Sequence, residues 1–562
     1  MILGQKEQDT VEVEETFLNS RSNHQGFPFS PANINLSSLH PSAVQIRRLW
    51  EVFTKRIDPL VKILHKPTVQ AIIIRIIQNP ETLEWLDKAS EALVFAVYFS
   101  AATSMTDDEL GESLGANKKI ITAKYRQAAE DALMNANFLN TQEVLTLQSF
   151  TLYLACVRWC EDTRMVWTLT GLAIRIAQYL GLHRDGKHFP ELSSFDREMR
   201  RRIWWYLHYL DCCASEDHGS DAATTELNFD TRRPSNVDDT ALHADAIEPS
   251  IKDQDGLTDM TFCLILYEVA QTRRLIKASR TLTEKENLLK ACHQRLESRY
   301  LVHCQHGGSL YWLAENIARM TIAKEWLLLH HDQSRLDRSN SLSREMKDRL
   351  FLTNLQIIER SILLESDPRT EEWRWLVPRS HQWLPMLFVV AELCVRSKCE
   401  IVDRAWRAVE TSYSVRSGLG KWKSGSDAML NKLMQKARAR REEDLSAERW
   451  NSLTNANIAS KSQSSEADDD LHSGLQMEVP HAMPSTTSNS VSLASQSNYD
   501  VLPDHSSISV PWSLNHFAVV NDMGIADNAI YWNNWDQLII DCQGGIDDQE
   551  PYSWGAISGE PR

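Results

Sequence analysis

Trp167–Gly186 reads WTLTGLAIRIAQYLGLHRDG, Ser193–Gly219 reads SSFDREMRRRIWWYLHYLDCCASEDHG, and Arg232–Asp239 reads RRPSNVDD. In the first piece, with the residue before it, Val166, Leu169, Ala173, Ile176, Ala177 and Leu180 recur three or four residues apart, or nearly so. That spacing predicts one apolar helix face, and Gly181 stands where a left-handed C-terminal cap belongs. In the second piece Ser193 and Asp196 have capping-box spacing, and Asp196 and Glu198 complement the dipole of the helix they open. Its expected buried stripe is Met199, Ile203, Tyr206, Leu207, Leu210 and Ala214. Arg200, Arg201 and Arg202 precede the pair Trp204 and Trp205, and Pro234 breaks the chain before a short polar turn. Periodicity therefore predicts two packed helices and a loop.

The residue identities say more. The run Leu180 to Arg184, the arginine-rich, double-aromatic helix Arg200 to Asp211 and the turn Pro234 to Asn236 resemble the middle homology region of the fungal binuclear-zinc-cluster transcription factors, the fungal-specific transcription factor domain. Two more blocks agree in order: Asp58–Thr68 (DPLVKILHKPT) and His381–Val409, which looks like the family's closing helix and its continuation. The resemblance runs from about Pro41 to about Val415. One departure stands out. Gly219, Ser220 and Asp221 replace the family's usual glycine-arginine-proline after the aromatic helix. That puts the local loop geometry in question.

Composition bounds the reading. The chain has 562 residues, 42% of them hydrophobic, which is ample for a sizeable core. Its net charge of −16 argues against general nucleic-acid binding, because phosphate neutralisation needs Lys and Arg. The stretch MILGQKEQDTVEVEE has no apolar segment of signal-peptide length, and the longest apolar runs, Ala92 to Met105 and Trp383 to Val395, are too short to span a bilayer. A soluble, intracellular protein is expected. Ten scattered cysteines fit free buried thiols in a reducing compartment.

The resemblance implies zinc, held in a six-cysteine module ahead of the middle region. A thiolate cluster needs closely spaced thiols, and no cysteine occurs here before Cys156. The expectation is that this chain lacks the DNA-reading module and takes no cofactor. Cys156 with Cys160, and Cys212 with Cys213, lie on apolar helices and read as small hydrophobes. Cys292, His293, His303, Cys304 and His306 match no familiar zinc spacing and read as structural. No sustained heptads precede Pro41, so the family's usual coiled-coil contact is not expected here.

Along the chain, residues 1–38 are polar and read as disordered. Residues 39–420 read as the helical regulatory domain, 421–450 as a basic helical segment, 451–512 as a Ser-rich disordered linker and 513–562 as an acidic-aromatic tail. Helices are expected from near Pro41 and over Val69–Ile77, Leu83–Met105, Ile120–Ala136, Thr141–Arg158, Thr258–Ala278, Glu284–Glu297, Gly308–His331, Leu342–Leu364 and Gln382–Val395. The short link Phe138 to Asn140 favours antiparallel neighbours on either side. Strand signals are nearly absent, so the expected fold class is all-α, an extended multi-helix array.

Lys436, Arg438, Arg440 and Arg441 form a candidate nuclear localisation signal, or a solvated face paired with Glu442, Glu443 and Asp444. In the tail, Trp532, Trp535, Leu538, Ile539 and Ile540 are candidates for activation, their acidic neighbours keeping them accessible to a coactivator groove; the alternative is packing back onto the core. Arg200 to Arg202 read as ion-pairing arginines whose stems pack over Trp204 and Trp205 rather than as a phosphate site. His183 and Arg184 read as cations at a helix C-terminus, and His65 as structural. No phosphate loop, nucleophile elbow, H-E-x-x-H pair or kinase signature occurs, so no catalytic residue is nominated and an enzyme is not expected.

Together these features predict a nuclear transcription regulator of the zinc-cluster class that controls a metabolic or biosynthetic gene set. Its expected partners are other regulators or coactivators. DNA would be reached indirectly or through a missing N-terminal module, and a small-molecule effector could bind between helices. The alternatives are a truncated or remnant partner-binding protein, and an out-of-class metabolite-binding or enzymatic helical protein.

Overall fold

The computed structural model describes residues 35–79, 83–160, 163–218, 222, 224, 228–243, 251–304, 307–336, 343–379, 383–418 and 425–466. Most of the expected disordered N-terminus, the loop residues 219–221 and the whole acidic-aromatic tail lie outside them. Among the described residues the secondary structure is helical throughout, with no strand, so the all-α expectation holds. Among the described residues the chain divides into two units, one within residues 35–389 and 405–418, the other within 390–404 and 425–466.

The first unit opens with α1 (Ala43–Val52), α2 (Lys66–Gln78), α3 (Lys88–Ser104), α4 (Asp107–Leu114), α5 (Lys118–Asn135) and α6 (Val144–Cys160). Folded chain reaches slightly further back than the expected boundary at residue 39: Leu36 is buried and Ser37–Leu39 form a 3-10 turn. A reciprocal capping box between Ser42 and Gln45 starts α1, as short side chains that can accept backbone N–H groups do. The centre of this half is α3. It is apolar all round, and every residue from Ala89 to Ser104 is buried, the signature of a helix covered on all sides. Near its end Ser100, Thr103 and Ser104 each donate to a carbonyl in the preceding turn at 2.8 Å.

The short link at Phe138–Asn140 leads to a different result from the one expected. Helices α5 and α6 each pack chiefly against α3 and touch one another much less. The all-apolar α3 offers both of them more surface to bury than either offers the other. Helix α4 also escapes the periodicity reading. It is only eight residues long and is set by its ends, a Thr106–Glu109 capping box and a left-handed Gly115 at φ +78°.

Next come α7 (Thr163–Tyr179) and α8 (Ser194–His218), which pack against each other. Gly181 has φ +75°, its N–H bonds to Gln178 O, and the Leu182 N–H reaches back to Ala177 O at 2.9 Å. The left-handed cap expected at Gly181 is present, and its two hydrogen bonds make it a Schellman motif. All six residues of the predicted α8 stripe are buried. At its start the Asp196 N–H donates to Ser193 Oγ at 3.0 Å, while the Ser193 hydroxyl donates to the Asp196 carboxylate at 2.6 Å. The side chains close on each other, because Asp is one methylene shorter than the Glu that normally returns to the backbone.

Helices α9 (Thr261–Ala278), α10 (Leu282–Leu296), α11 (Ser309–Leu336) and α12 (Arg344–Ser366) continue the unit, α9 lying against α8, α10 and α11. A run of 3-10 turns, Pro368–Arg379, packs on α11 and α12. Two helices cross the division between the units, α13 (Trp383–Leu393) and α14 (Glu400–Gly418).

The second unit contains α15 (Gly425–Glu466). Its buried residues include Val390, Leu393, Val402, Leu430, Leu433, Met434 and Ala437, and Lys398 Nζ pairs with the Glu448 carboxylate at 2.6 Å. The helix overruns the expected linker boundary at residue 451 by sixteen residues. Once a helix is nucleated, each further residue fixed gains one hydrogen bond, so a helix started upstream runs on through this polar stretch.

Candidate functional site

A buried ionic hub joins two of the three sequence blocks that carry the family resemblance. It begins at a wide π-helical turn, Phe53–Ile57, after α1. There the Asp58 N–H bonds to Phe53 O, five residues back, at 2.9 Å. The extra residue rotates the chain beyond it, a recurrent feature of functional positions. Asp58 and Lys62 then point inward, both essentially unexposed, with Lys62 Nζ 2.6 Å from Asp58 Oδ2. The same ammonium lies 2.8 Å from Asp239 Oδ2 and 3.9 Å from Asp259.

From α8, Arg202 Nη1 donates to Asp239 Oδ1 at 2.7 Å, and its Nε approaches Glu198 at 3.6 Å. Glu198 accepts from the Ser235 N–H at 3.0 Å. Arg201 Nε and Nη2 each donate to Asp185 at 2.9 Å, and Asp185 also accepts from the Arg232 N–H at 2.9 Å. The Lys66 N–H at the start of α2 donates to Asp239 Oδ2 at 2.9 Å, and His65 bridges Thr68 Oγ1 and Asp239 O. The DPLVKILHKPT segment, the arginine triplet and the RRPSNVDD turn thus close on one another.

The environment sets the charge states. Burial opposes the charge on Asp239, but Arg202 and Lys62 outweigh it and hold its carboxyl well below the usual range. Burial also opposes the charge on Asp185; the Arg201 guanidinium and the Arg232 and Lys187 N–H groups outweigh it and bring it to about 2. For Glu198 the order reverses: burial wins over Arg202, Arg201 and Ser235, and its carboxyl is raised. Asp58 is raised as well, by burial first and against the attraction of Lys62. Lys62 remains a firm cation, since Asp58 and Asp239 overcome its burial.

Beside the hub lies an aromatic cluster. Phe229 meets Trp204, His208 and Trp205 at ring-centroid distances of 5.3, 5.2 and 5.9 Å. Trp205 Nε1 donates to the carbonyls of Thr231 and Arg232 at 3.1 and 2.8 Å. Asn236 clips the next loop, with Nδ2 donating to Gln254 O and Gly256 O, and Oδ1 accepting from Thr258. The geometry positions chain segments. Its charged groups face partners from the same chain, as expected of a structural keystone.

The sequence reading of the triplet holds in its ion pairs and differs in its stacking. Arg200 donates to Leu180 O, capping α7, and its guanidinium lies over Phe189 rather than a tryptophan, 5.8 Å from the centroid. His183 departs from the expected cation: burial first, and then the neighbouring Arg184, lower its pKa and disfavour the imidazolium. Arg184 faces Asp230 at 3.9 Å. Glu198, expected to complement the helix dipole, is fully buried and holds the Ser235 N–H instead. Asp58, Lys62 and Asp239 escape nomination altogether. The available signal was an Asp and a Lys four residues apart inside an apolar run.

The localisation candidates fall on α15. Lys436, Arg438 and Arg440 are exposed, Arg441 is half-buried, and Arg440 faces Glu443 at 3.9 Å and Asp444 at 3.4 Å. Trp532, Trp535, Leu538, Ile539 and Ile540 lie outside the described residues.

Among the described residues the buried cysteines do not suit a thiolate zinc cluster. Burial raises the Cys213 and Cys263 thiols to about 11 and Cys304 to about 12, which keeps them protonated where a ligand must be thiolate. Among the described residues no group of three His, Cys, Asp or Glu side chains could hold a metal ion, the Cys292–Cys304 set included. No described helix is long and apolar enough to cross a membrane.

The residues that form this hub fall inside the region matched by a known family. The family described as "Fungal specific transcription factor domain" matches residues 50–351, more than half of the chain, and the chain belongs to that family. The aurofusarin cluster transcription factor aurR2 of Gibberella zeae is 32% identical over 390 residues, covering 67% of this chain and 57% of the relative. The C6 finger domain transcription factor adaR of Aspergillus niger is 32% identical over 420 residues, covering 68% and 52%. The transcriptional regulator AacuB of Aspergillus aculeatus is 29% identical over 416 residues, covering 71% and 55%. The chain spans about half the length of the curated relatives it matches.

Proposed function

We propose that this chain is the regulatory body of a nuclear transcription regulator that controls a biosynthetic gene set. The carrying observation is that the hub uniting Asp58, Lys62, Arg202 and Asp239 lies wholly within the family-matched region. Relatives matching that region bear names such as the aurofusarin cluster factor and the pyriculol/pyriculariol biosynthesis cluster transcription factor 1 of Pyricularia oryzae. Membership of a transcription-factor family speaks against an enzyme.

In this reading Lys436, Arg438, Arg440 and Arg441 are read by an import receptor, and the Trp532–Asp541 segment supplies activation by docking into a coactivator. DNA is reached through a partner regulator or through a module outside this sequence, and a small metabolite biases the helical body. Deleting the gene should lower transcripts of a contiguous biosynthetic cluster. Unchanged cluster transcripts would remove the gene-set assignment. Tethered to a heterologous DNA-binding domain, residues 513–562 should activate a reporter, and Trp532→Ala with Trp535→Ala should abolish it. A silent tethered tail would favour the second reading, a partner-binding remnant.

A further inference from the structure

We infer that the outward face of α15 is a docking surface for this chain's own Trp532–Asp541 segment. Helical geometry decides which residues share that face. Stepping by three and four, Lys432, Lys436, Arg440, Glu443, Ala447, Trp450 and Thr454 fall on one side, opposite the buried Leu430, Leu433, Met434 and Ala437. Lys436 and Arg440 are exposed, and Trp450 is 70% exposed, an unusual state for the largest apolar side chain. The face carries one acid, Glu443, beside Arg440. Asp444, half-buried, also approaches Arg440 at 3.4 Å, so that a docked acid would compete for Arg440 with two acids of its own helix, whereas Glu448 pairs with Lys398.

Charge and chemistry select the occupant. From Ala428 to Arg441 the helix has five basic residues and no acid, whereas residues 513–562 have eight acids and one base. The segment WNNWDQLIID offers Asp536 and Asp541 to the Lys436–Arg440 pair, and its tryptophans and aliphatic residues to Trp450. Reach agrees. Lys436 lies 30 residues before Glu466, roughly 45 Å along a helix rising 1.5 Å per residue. The 65 residues 467–531 have to bridge that distance, which is far below the roughly 215 Å that 65 residues reach at full extension.

Resting on the function proposed above, the consequence is mutual masking. The docked state covers the basic cluster from an import receptor and the tail from a coactivator together, and whichever receptor captures its ligand first releases the other.

The test uses the purified full-length chain in hydrogen exchange with mass spectrometry. The expected result is exchange over residues 432–454 that is several-fold slower than in Asp536→Lys/Asp541→Lys, and equally fast in Lys436→Glu/Arg440→Glu. The four-residue charge exchange should restore the slow rate. Protection should stay constant across a twenty-fold range of protein concentration and weaken at 0.5 M salt. Identical rates in wild type and both double variants overturn the inference. Protection that grows with concentration also overturns it, in favour of a second copy on this face. Reporter activation by the tethered tail with no protection in the full chain would leave the function standing and remove the docking alone.

Discussion

In α8, Arg201 and Arg202 point at carboxylates that are themselves buried, whereas in α15 Lys436 and Arg440 face solvent, and Arg440 meets only its own helix's acids. Both helices carry runs of basic residues that look alike in sequence. Their energetics differ by the environment of the partner. A buried pair has lost its hydration and depends on its counter-charge, while an exposed pair loses little when separated. The first kind of charge is committed to architecture and the second is free for recognition.

The contrast breaks most directly at Asp239. Asp239→Asn leaves both Arg202 and Lys62 buried beside a neutral group, and the expected loss is about 3–5 kcal/mol. It should appear as a large drop in the urea midpoint or in soluble yield. A stability unchanged from wild type would mean that the hub is not dry. Lys62→Met alone should cost more than Lys62→Met combined with Asp58→Leu, because the double change removes the orphaned charge. Comparing the two thermal midpoints measures the coupling, about 0.5–3 kcal/mol.

Acid sharpens the comparison further. The pKa of Asp185 is depressed to about 2 in the folded chain, below its ordinary value of 3.8, so the unfolded chain binds its proton first as pH falls. Its stabilisation is complete above about pH 4 and disappears as pH drops through about 2. Asp185→Asn should therefore lie below wild type near neutrality, with the two unfolding curves converging toward pH 2. Parallel curves throughout would contradict this. Glu198 carries the opposite sign, since a raised carboxyl contributes most at low pH and less as pH rises through its folded value.

Smaller effects are expected elsewhere. At Gly181 a Cβ would meet Arg200 and Phe189 at 3.5 and 3.7 Å, ordinary contacts, so Gly181→Ala pays only for the left-handed backbone. The cost is about 1 kcal/mol, a fall of a few degrees in thermal midpoint. Smallest of all, Lys436→Ala with Arg440→Ala should leave stability within about 0.5 kcal/mol of wild type while lowering nuclear accumulation of a fluorescent fusion. A marked loss of stability would move those residues into the structural class.

Much of the fold is legible in the amino-acid order, and the reason is periodicity. Apolar spacing locates α7 and α8 to within a few residues, and Gly181 marks the cap of α7. Helix α4 escapes because eight residues set by end caps give too short a periodic signal. The hub escapes for a different reason. Asp58, Glu198 and Asp239 are 140 and 41 residues apart in sequence, and only the tertiary fold shows that they share two cations. Arg201 and Arg202 read as ion-pairing without named partners, since chain order does not identify the counter-charge.

The wide turn at Phe53–Ile57 has a consequence for how this chain can vary in length. Each residue of a helix advances its successors by about 100°. Losing one residue there would swing the Asp58 carboxylate and the Lys62 ammonium away from Asp239 together, while every amino acid in the hub stayed the same. Tolerance of single-residue indels should therefore be far lower at this turn than in an exposed loop.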